Sequence, residues 1–122
     1  VNTGTSSSSS SNNNNDNGWY PIEYAESFEP YVLGYYTHNK PSIPRYRTEF
    51  RGYGKNKLTW IMEMHRNGYS FGVLPTVWAV HMDHPVSNQD DRRNELDFNK
   101  FILYPQFLRY LDDTYGRYRA EQ

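Results

Sequence analysis

No cysteine occurs anywhere in the chain. That absence excludes a disulfide framework, a Cys-ligated zinc site and a thiol nucleophile, but it leaves the compartment open, because secretory proteins can also lack disulfides. Strong charge of one sign is missing as well. The 13 Lys and Arg residues stand against 14 Asp and Glu, scattered rather than striped, so there is no electrostatic footprint for nucleic acid or an anionic membrane. Neither is expected as a partner. No window holds the roughly eighteen apolar residues of a membrane span, and the N-terminus lacks a basic-then-apolar signal pattern. An Asn-x-Ser/Thr glycosylation acceptor is also absent. The start at Val1, with no targeting segment behind it, leads us to expect a fragment or processed piece. What is plentiful is tyrosine, with 12 copies among 122 residues. Flat rings with polar tips suit a small core that must reach the surface, and equally suit stacking on sugars.

The first 18 residues offer almost nothing to fold. Six serines from Ser6 to Ser11 and four asparagines from Asn12 to Asn15 cannot bury enough apolar surface to offset their ordering entropy. A disordered tract over 1–18 and a folded part over 19–122 are therefore expected. Within the folded part, Pro30 and the partial alternation of Phe28, Tyr31, Leu33 and Tyr35 predict a strand near Tyr31–Tyr36. Thr37 to Pro44 reads as a loop, with His38 solvated in it. Gly52 and Gly54 allow a tight turn, although neither a dinucleotide fingerprint nor a phosphate-binding Walker loop is present. Leu58, Ile61, Met62 and His65 then follow helical spacing from about Lys55 until Asn67-Gly68 stops the run. Residues 86 to 93 read as irregular. From Glu95 onward the spacing is helical again, with Phe98, Phe101, Ile102, Leu108 and Leu111 expected to pack and Pro105 expected to break or kink the run.

Phe71 to Val80 is an apolar and β-branched run that predicts a buried strand, and it leads into the polar loop His81-Met82-Asp83-His84-Pro85. A rigid element that presents a loop with two imidazoles and a carboxylate is a common way to place metal ligands. His-x-x-His alone is a weak signal. The helical His-Glu-x-x-His spacing of zinc hydrolases is not matched, which disfavours a hydrolase.

Four segments occur in order: Glu49-Phe50-Arg51-Gly52-Tyr53-Gly54-Lys55-Asn56-Lys57, Ile61-Met62-Glu63-Met64, Val73-Leu74-Pro75, and Val80 to Pro85. Together with Phe28-Glu29-Pro30-Tyr31 upstream, this series resembles the C-terminal part of the glycosyltransferase family 49 domain, the domain of LARGE-type xylosyl/glucuronyltransferases and of a β-1,4-glucuronyltransferase. The resemblance covers roughly Glu26 to Ser87. It implies an α/β, GT-A-like fold in which a mixed sheet carries packing helices. It also implies a metal-dependent inverting transfer, with manganese as cofactor, of a glucuronic acid or xylose class sugar from a UDP-sugar donor to a glycan acceptor on a glycoprotein. By the same resemblance His81, with His84 as second choice, is the metal ligand, and Glu49, Glu63 and Asp83 are the candidate bases. Gly52, Gly54, Asn56 and Lys57 would line the substrate cleft. Residence in the Golgi lumen, as part of a type II membrane protein, is implied too.

One feature of such enzymes is missing. None of Asp16, Asp83, Asp90, Asp91, Asp97, Asp112 and Asp113 lies in an Asp-x-Asp pattern after an apolar strand, so the donor half of the site is not in these residues. The chain is expected to be inactive alone. The competing expectation is a non-catalytic, transferase-like module that binds glycans through its aromatic residues.

Overall fold

A computed structural model describes residues 18–34, 43–86 and 88–117. The Ser/Asn tract up to Asn17 and most of the loop around His38 lie outside the described residues. The elements are β1 (Tyr20–Ile22), α1 (Asn56–Arg66), β2 (Phe71–Val73), α2 (Gln89–Phe98), a π-helical segment (Asn99–Leu103) and α3 (Tyr104–Tyr115).

Helix α1 forms where the spacing predicts it. Its buried face carries Leu58, Ile61 and Met64, and it stops in a hydrogen-bonded cap: the Tyr69 N–H donates to the Met64 carbonyl and the Gly68 N–H to that of His65, both at 3.0 Å. Gly68 takes the left-handed conformation that this cap requires, at φ 84°. The core joins α1 to α3. Phe50 meets Phe107 edge to face with centroids 5.9 Å apart, Leu111 is fully buried beside them, and Met62, Leu103 and Tyr104 pack around. Arg66 fastens the far end by donating to Asp112 at 2.7 Å and to the Gly116 carbonyl.

The strands depart from expectation. Only Phe71–Val73 of the long apolar run is strand, paired antiparallel with a strand not foreseen, Tyr20–Ile22, in the register Tyr20 to Val73 and Ile22 to Phe71. Among the described residues the sheet is this two-stranded ribbon rather than a mixed sheet, and Tyr31 to Gly34 is not strand. The physical reason is local at first: Pro75 has no N–H to give to a ladder, and the chain turns there with the Val77 N–H donating to the Leu74 carbonyl at 3.2 Å. Beyond the turn the run meets no described neighbour strand, so Val77, Trp78, Val80 and Met82 are 57, 81, 70 and 79% exposed.

The C-terminal helices depart as well. Residues expected to be irregular form α2, whose N-cap Asn88 accepts from the Asp90 N–H at 3.0 Å, with Asp90 and Asp91 in the first turn against the helix dipole. In the π-helical segment the Tyr104 N–H reaches back to the Asn99 carbonyl. Its wider turn rotates everything after it by about 100° relative to a continuous α-helix. Phe107 and Leu111 of α3 face the core, while Phe98, Phe101, Ile102 and Leu108 are exposed. Pro105 lies in the first turn of α3 and does not break the helix.

Candidate functional site

Three groups of side chains carry the candidate residues. The first surrounds the loop after β2, where His81, Asp83 and His84 are all exposed. The Tyr31 hydroxyl and His81 Nδ1 are hydrogen-bonded at 3.0 Å, and the Lys57 ammonium lies 4.7 Å from the centroid of the same tyrosine ring. Tyr31 thus joins residues 50 positions apart and brings Lys57 to the histidine loop. The rings of His81 and His84 stand 5.4 Å apart. His84 Nδ1 donates to the Pro85 carbonyl at 3.1 Å, which leaves Nε2 of the neutral ring as the nitrogen with a free lone pair. If His81 Nδ1 donates to Tyr31 in the same way, both imidazoles present Nε2, the arrangement found where a histidine ligates a metal. Among the described residues no three His, Asp or Glu side chains converge into a metal cluster.

The second group is the glycine turn. Gly52 and Gly54 have φ of +68° and +97°, and the side-chain position at Gly52 is filled by the Glu95 carboxylate, which accepts the Tyr53 N–H at 2.7 Å. Buried Asn99 donates from Nδ2 to the carbonyls of Arg51, Tyr53 and Gly54 at 3.0 to 3.1 Å. The two glycines therefore pack against α2 and the π-helical segment. Asn56 folds its own Oδ1 onto the Lys57 N–H at 2.8 Å, and the Lys57 ammonium lies over the Tyr31 ring that is hydrogen-bonded to His81.

The third group is a cleft of about 480 Å³ lined by Tyr46, Arg47, Glu49, Glu63, Asn67 and Tyr115, among others. Glu63, which the helical pattern left between solvent and cleft, is 4% exposed. Its carboxylate accepts from Arg47 Nε at 3.3 Å, from the Tyr110 hydroxyl at 2.9 Å and from the Tyr115 hydroxyl at 3.4 Å. The Arg47 guanidinium also lies 3.7 Å from the Tyr110 ring centroid. Burial, and then the charge of Glu63, push the Tyr115 hydroxyl well above the usual tyrosine range, which keeps it a donor. Glu49 is 3.8 Å from Arg47 and half-exposed, whereas Asp83 makes no hydrogen bond or ion pair among the described residues. Sequence reasoning missed Tyr31, Arg47, Tyr110 and Tyr115 as partners of the candidate residues. For Tyr31 a signal existed in Phe28-Glu29-Pro30-Tyr31; for the others contacts 16 to 52 residues apart left none.

Comparison with known proteins assigns the chain. Residues 5–116 match the model of the family described as "Glycosyl-transferase for dystroglycan". The chain belongs to this family. The match reaches beyond the motif series on both sides and takes in α2 and α3. Among its relatives is the xylosyl- and glucuronyltransferase LARGE1 of Homo sapiens, 38% identical over 68 residues, which are 56% of this chain and 8% of that protein. The glycosyltransferase-like protein gnt14 of Dictyostelium discoideum is 35% identical over 71 residues, 58% of this chain and 10% of that protein. The β-1,4-glucuronyltransferase 1 of Danio rerio is 29% identical over 97 residues, 79% of this chain and 21% of that protein. The chain thus spans between about a twelfth and a fifth of the length of these relatives. No solved structure matches it. No helix among its described residues is long and apolar enough to cross a membrane.

Proposed function

We propose that this chain forms part of the active site of a metal-dependent inverting glycosyltransferase, one that moves a glucuronic acid or xylose class sugar from a UDP-sugar to a glycan acceptor on a glycoprotein. The observation that carries the reading is the meeting of His81, Tyr31 and Lys57, three residues from separate motifs of the family resemblance, at one surface. A GT-A-like fold would be completed by sequence carrying the Asp-x-Asp that these residues lack, and the exposed run from Val77 to Met82 is the edge such a neighbour would cover. Residence in the Golgi lumen as part of a type II membrane protein follows from the same reading.

Manganese prefers oxygen ligands, so the imidazoles of the histidine loop would complete a site whose carboxylates come from elsewhere in the protein. His81 and His84 would hold the ion through Nε2, His81 with its ring oriented by Tyr31. An ion held there would supply positive charge against the departing diphosphate, and an imidazole ligand would add no charge of its own. The Lys57 ammonium, placed by the Tyr31 ring, supports anionic groups at the same surface.

Inversion in one displacement needs a carboxylate to accept the proton of the acceptor hydroxyl as that oxygen bonds to the anomeric carbon and the bond to UDP breaks. A base needs an oxygen free for that proton. Glu63 spends its oxygens on Arg47, Tyr110 and Tyr115, and Glu49 lines the Arg47 cleft with Oε1 3.8 Å from that guanidinium. Asp83, on the loop of His81, is the base in this reading. Gly52, Gly54 and Asn56 shape the turn that delivers Lys57.

In the protein that carries this chain, Asp83→Asn is expected to lower kcat by about 10²–10⁴-fold while donor binding is kept. Retention of kcat in Asp83→Asn together with its loss in Glu49→Gln would move the base to Glu49. Retention in both would remove the catalytic role from this segment and favour the glycan-binding module.

A further inference from the structure

The cleft between residues 44–49, the C-terminal half of α1 and Tyr115 is a separate feature from the histidine loop, and the proposed transfer chemistry does not use it. We infer that it is a binding subsite for a neutral pyranose, a second contact by which the protein grips a glycan away from the reacting hydroxyl. The inference rests on the transferase reading only in that the glycan would be the acceptor.

The chemistry of the walls selects the ligand. Tyr46 stacks on Trp60 with centroids 4.5 Å apart and planes 22° from parallel, and Trp60 is itself fixed by donating Nε1–H to the Pro44 carbonyl. Tyr46, with one face on Trp60, is 48% exposed and lines the cleft. A rigid, backed aromatic ring is a platform for the C–H face of a pyranose, costing little side-chain entropy on binding. The remaining walls are polar in both senses: the Glu49 carboxylate accepts, the arginines donate, and the Thr48 hydroxyl and Asn67 amide do both. Sugar hydroxyls need that mixture, since each both donates and accepts.

Charge excludes the alternatives. Arg45 and Arg47 balance Glu49 and Glu63 in the lining, so the cleft is formally neutral and has no excess cation for a uronate or a nucleotide phosphate. Arg47 is held by Glu63, Glu49 and the Tyr110 ring, which preorganises its outer edge instead of leaving a bare charge. The volume of about 480 Å³ lies in the range of small-molecule sites.

The test titrates the protein that carries this chain with methyl β-D-glucopyranoside, methyl β-D-glucopyranosiduronate and UMP, followed by amide NMR in the presence of EDTA. Absence of metal and donor makes the result independent of His81 and Asp83. Saturable shifts at residues 44–49 and Asn67 with the neutral glycoside, at a Kd on the order of millimolar, are expected, with the uronate and UMP weaker. Tyr46→Ala should raise that Kd at least about tenfold and Tyr46→Phe, which keeps the platform, should change it less than about threefold. Absence of saturable shifts in the wild-type protein overturns the inference, and needs no folded variant. So does tighter binding of the uronate or UMP, or an unchanged Kd in a folded Tyr46→Ala.

Discussion

Replacing Glu63 by alanine is expected to cost about 2–4 kcal/mol of stability, because Arg47 and two tyrosine hydroxyls lose their common acceptor beneath the cleft. Urea unfolding of the two chains measures it, and Glu63→Gln, which keeps an acceptor oxygen, should fall between them. The spacing of α1 placed Glu63 just off the apolar stripe but was silent about its partners, since they come from residue 47 and from α3. His65 was more legible. It continues the stripe, and it stacks on Tyr24 with centroids 4.1 Å apart. Burial first, and then the neighbouring Arg66 charge, lower its pKa below the ordinary 6.5. The unfolded chain therefore binds more protons in the interval just below pH 6.5. The stability that neutral His65 contributes is complete above 6.5 and is lost as pH falls through the folded-state value. Urea midpoints of wild type should drop across that interval, and His65→Phe should flatten the difference; a steeper drop in the variant would contradict the sign.

At the scale of elements, Asn99→Ala should destabilise by about 1–3 kcal/mol, since three carbonyls of the glycine turn lose the donor they share. Amide exchange would show the loss concentrated at residues 51–57, the turn it fastens. Which elements were readable follows from how local their causes are. Helix α1 carries its stripe and its Asn67-Gly68 stop within one window, and the structure has it within a residue or two of the expected ends. Asn88 with Asp90 and Asp91 is an equally local start signal for α2, visible in the sequence but outweighed by the low apolar content of the helix. The π-helical turn is different: no residue pattern announces it, and it shifts the face on which α3 carries Phe107 and Leu111. Strands depend on partners elsewhere. Phe71 to Val80 has the composition of a buried strand, yet three residues of it find a partner among the described residues, in the unforeseen Tyr20–Ile22.

For the molecule as a whole, family membership was legible because motifs survive where topology is hidden: the series from Glu49 to Pro85, with Phe28-Glu29-Pro30-Tyr31, sits inside the family match over 5–116. The structure adds which motifs meet. Tyr31 connects the upstream segment to the histidine loop, and Lys57 brings the end of the glycine turn to the same place. Glu49 and Glu63, by contrast, share the cleft beside Arg47 and Tyr115. The motif carboxylates therefore divide between a structural cluster and an open loop. The central claim is that His81 holds the catalytic metal of a sugar transferase. Its most direct test is sugar transfer from a UDP donor at increasing manganese in the protein that carries this chain, wild type against His81→Ala. The account predicts that His81→Ala raises the manganese concentration needed for half activity by more than the roughly 10–100-fold typical of losing an outer-shell partner. An unchanged manganese dependence in a folded His81→Ala would contradict it.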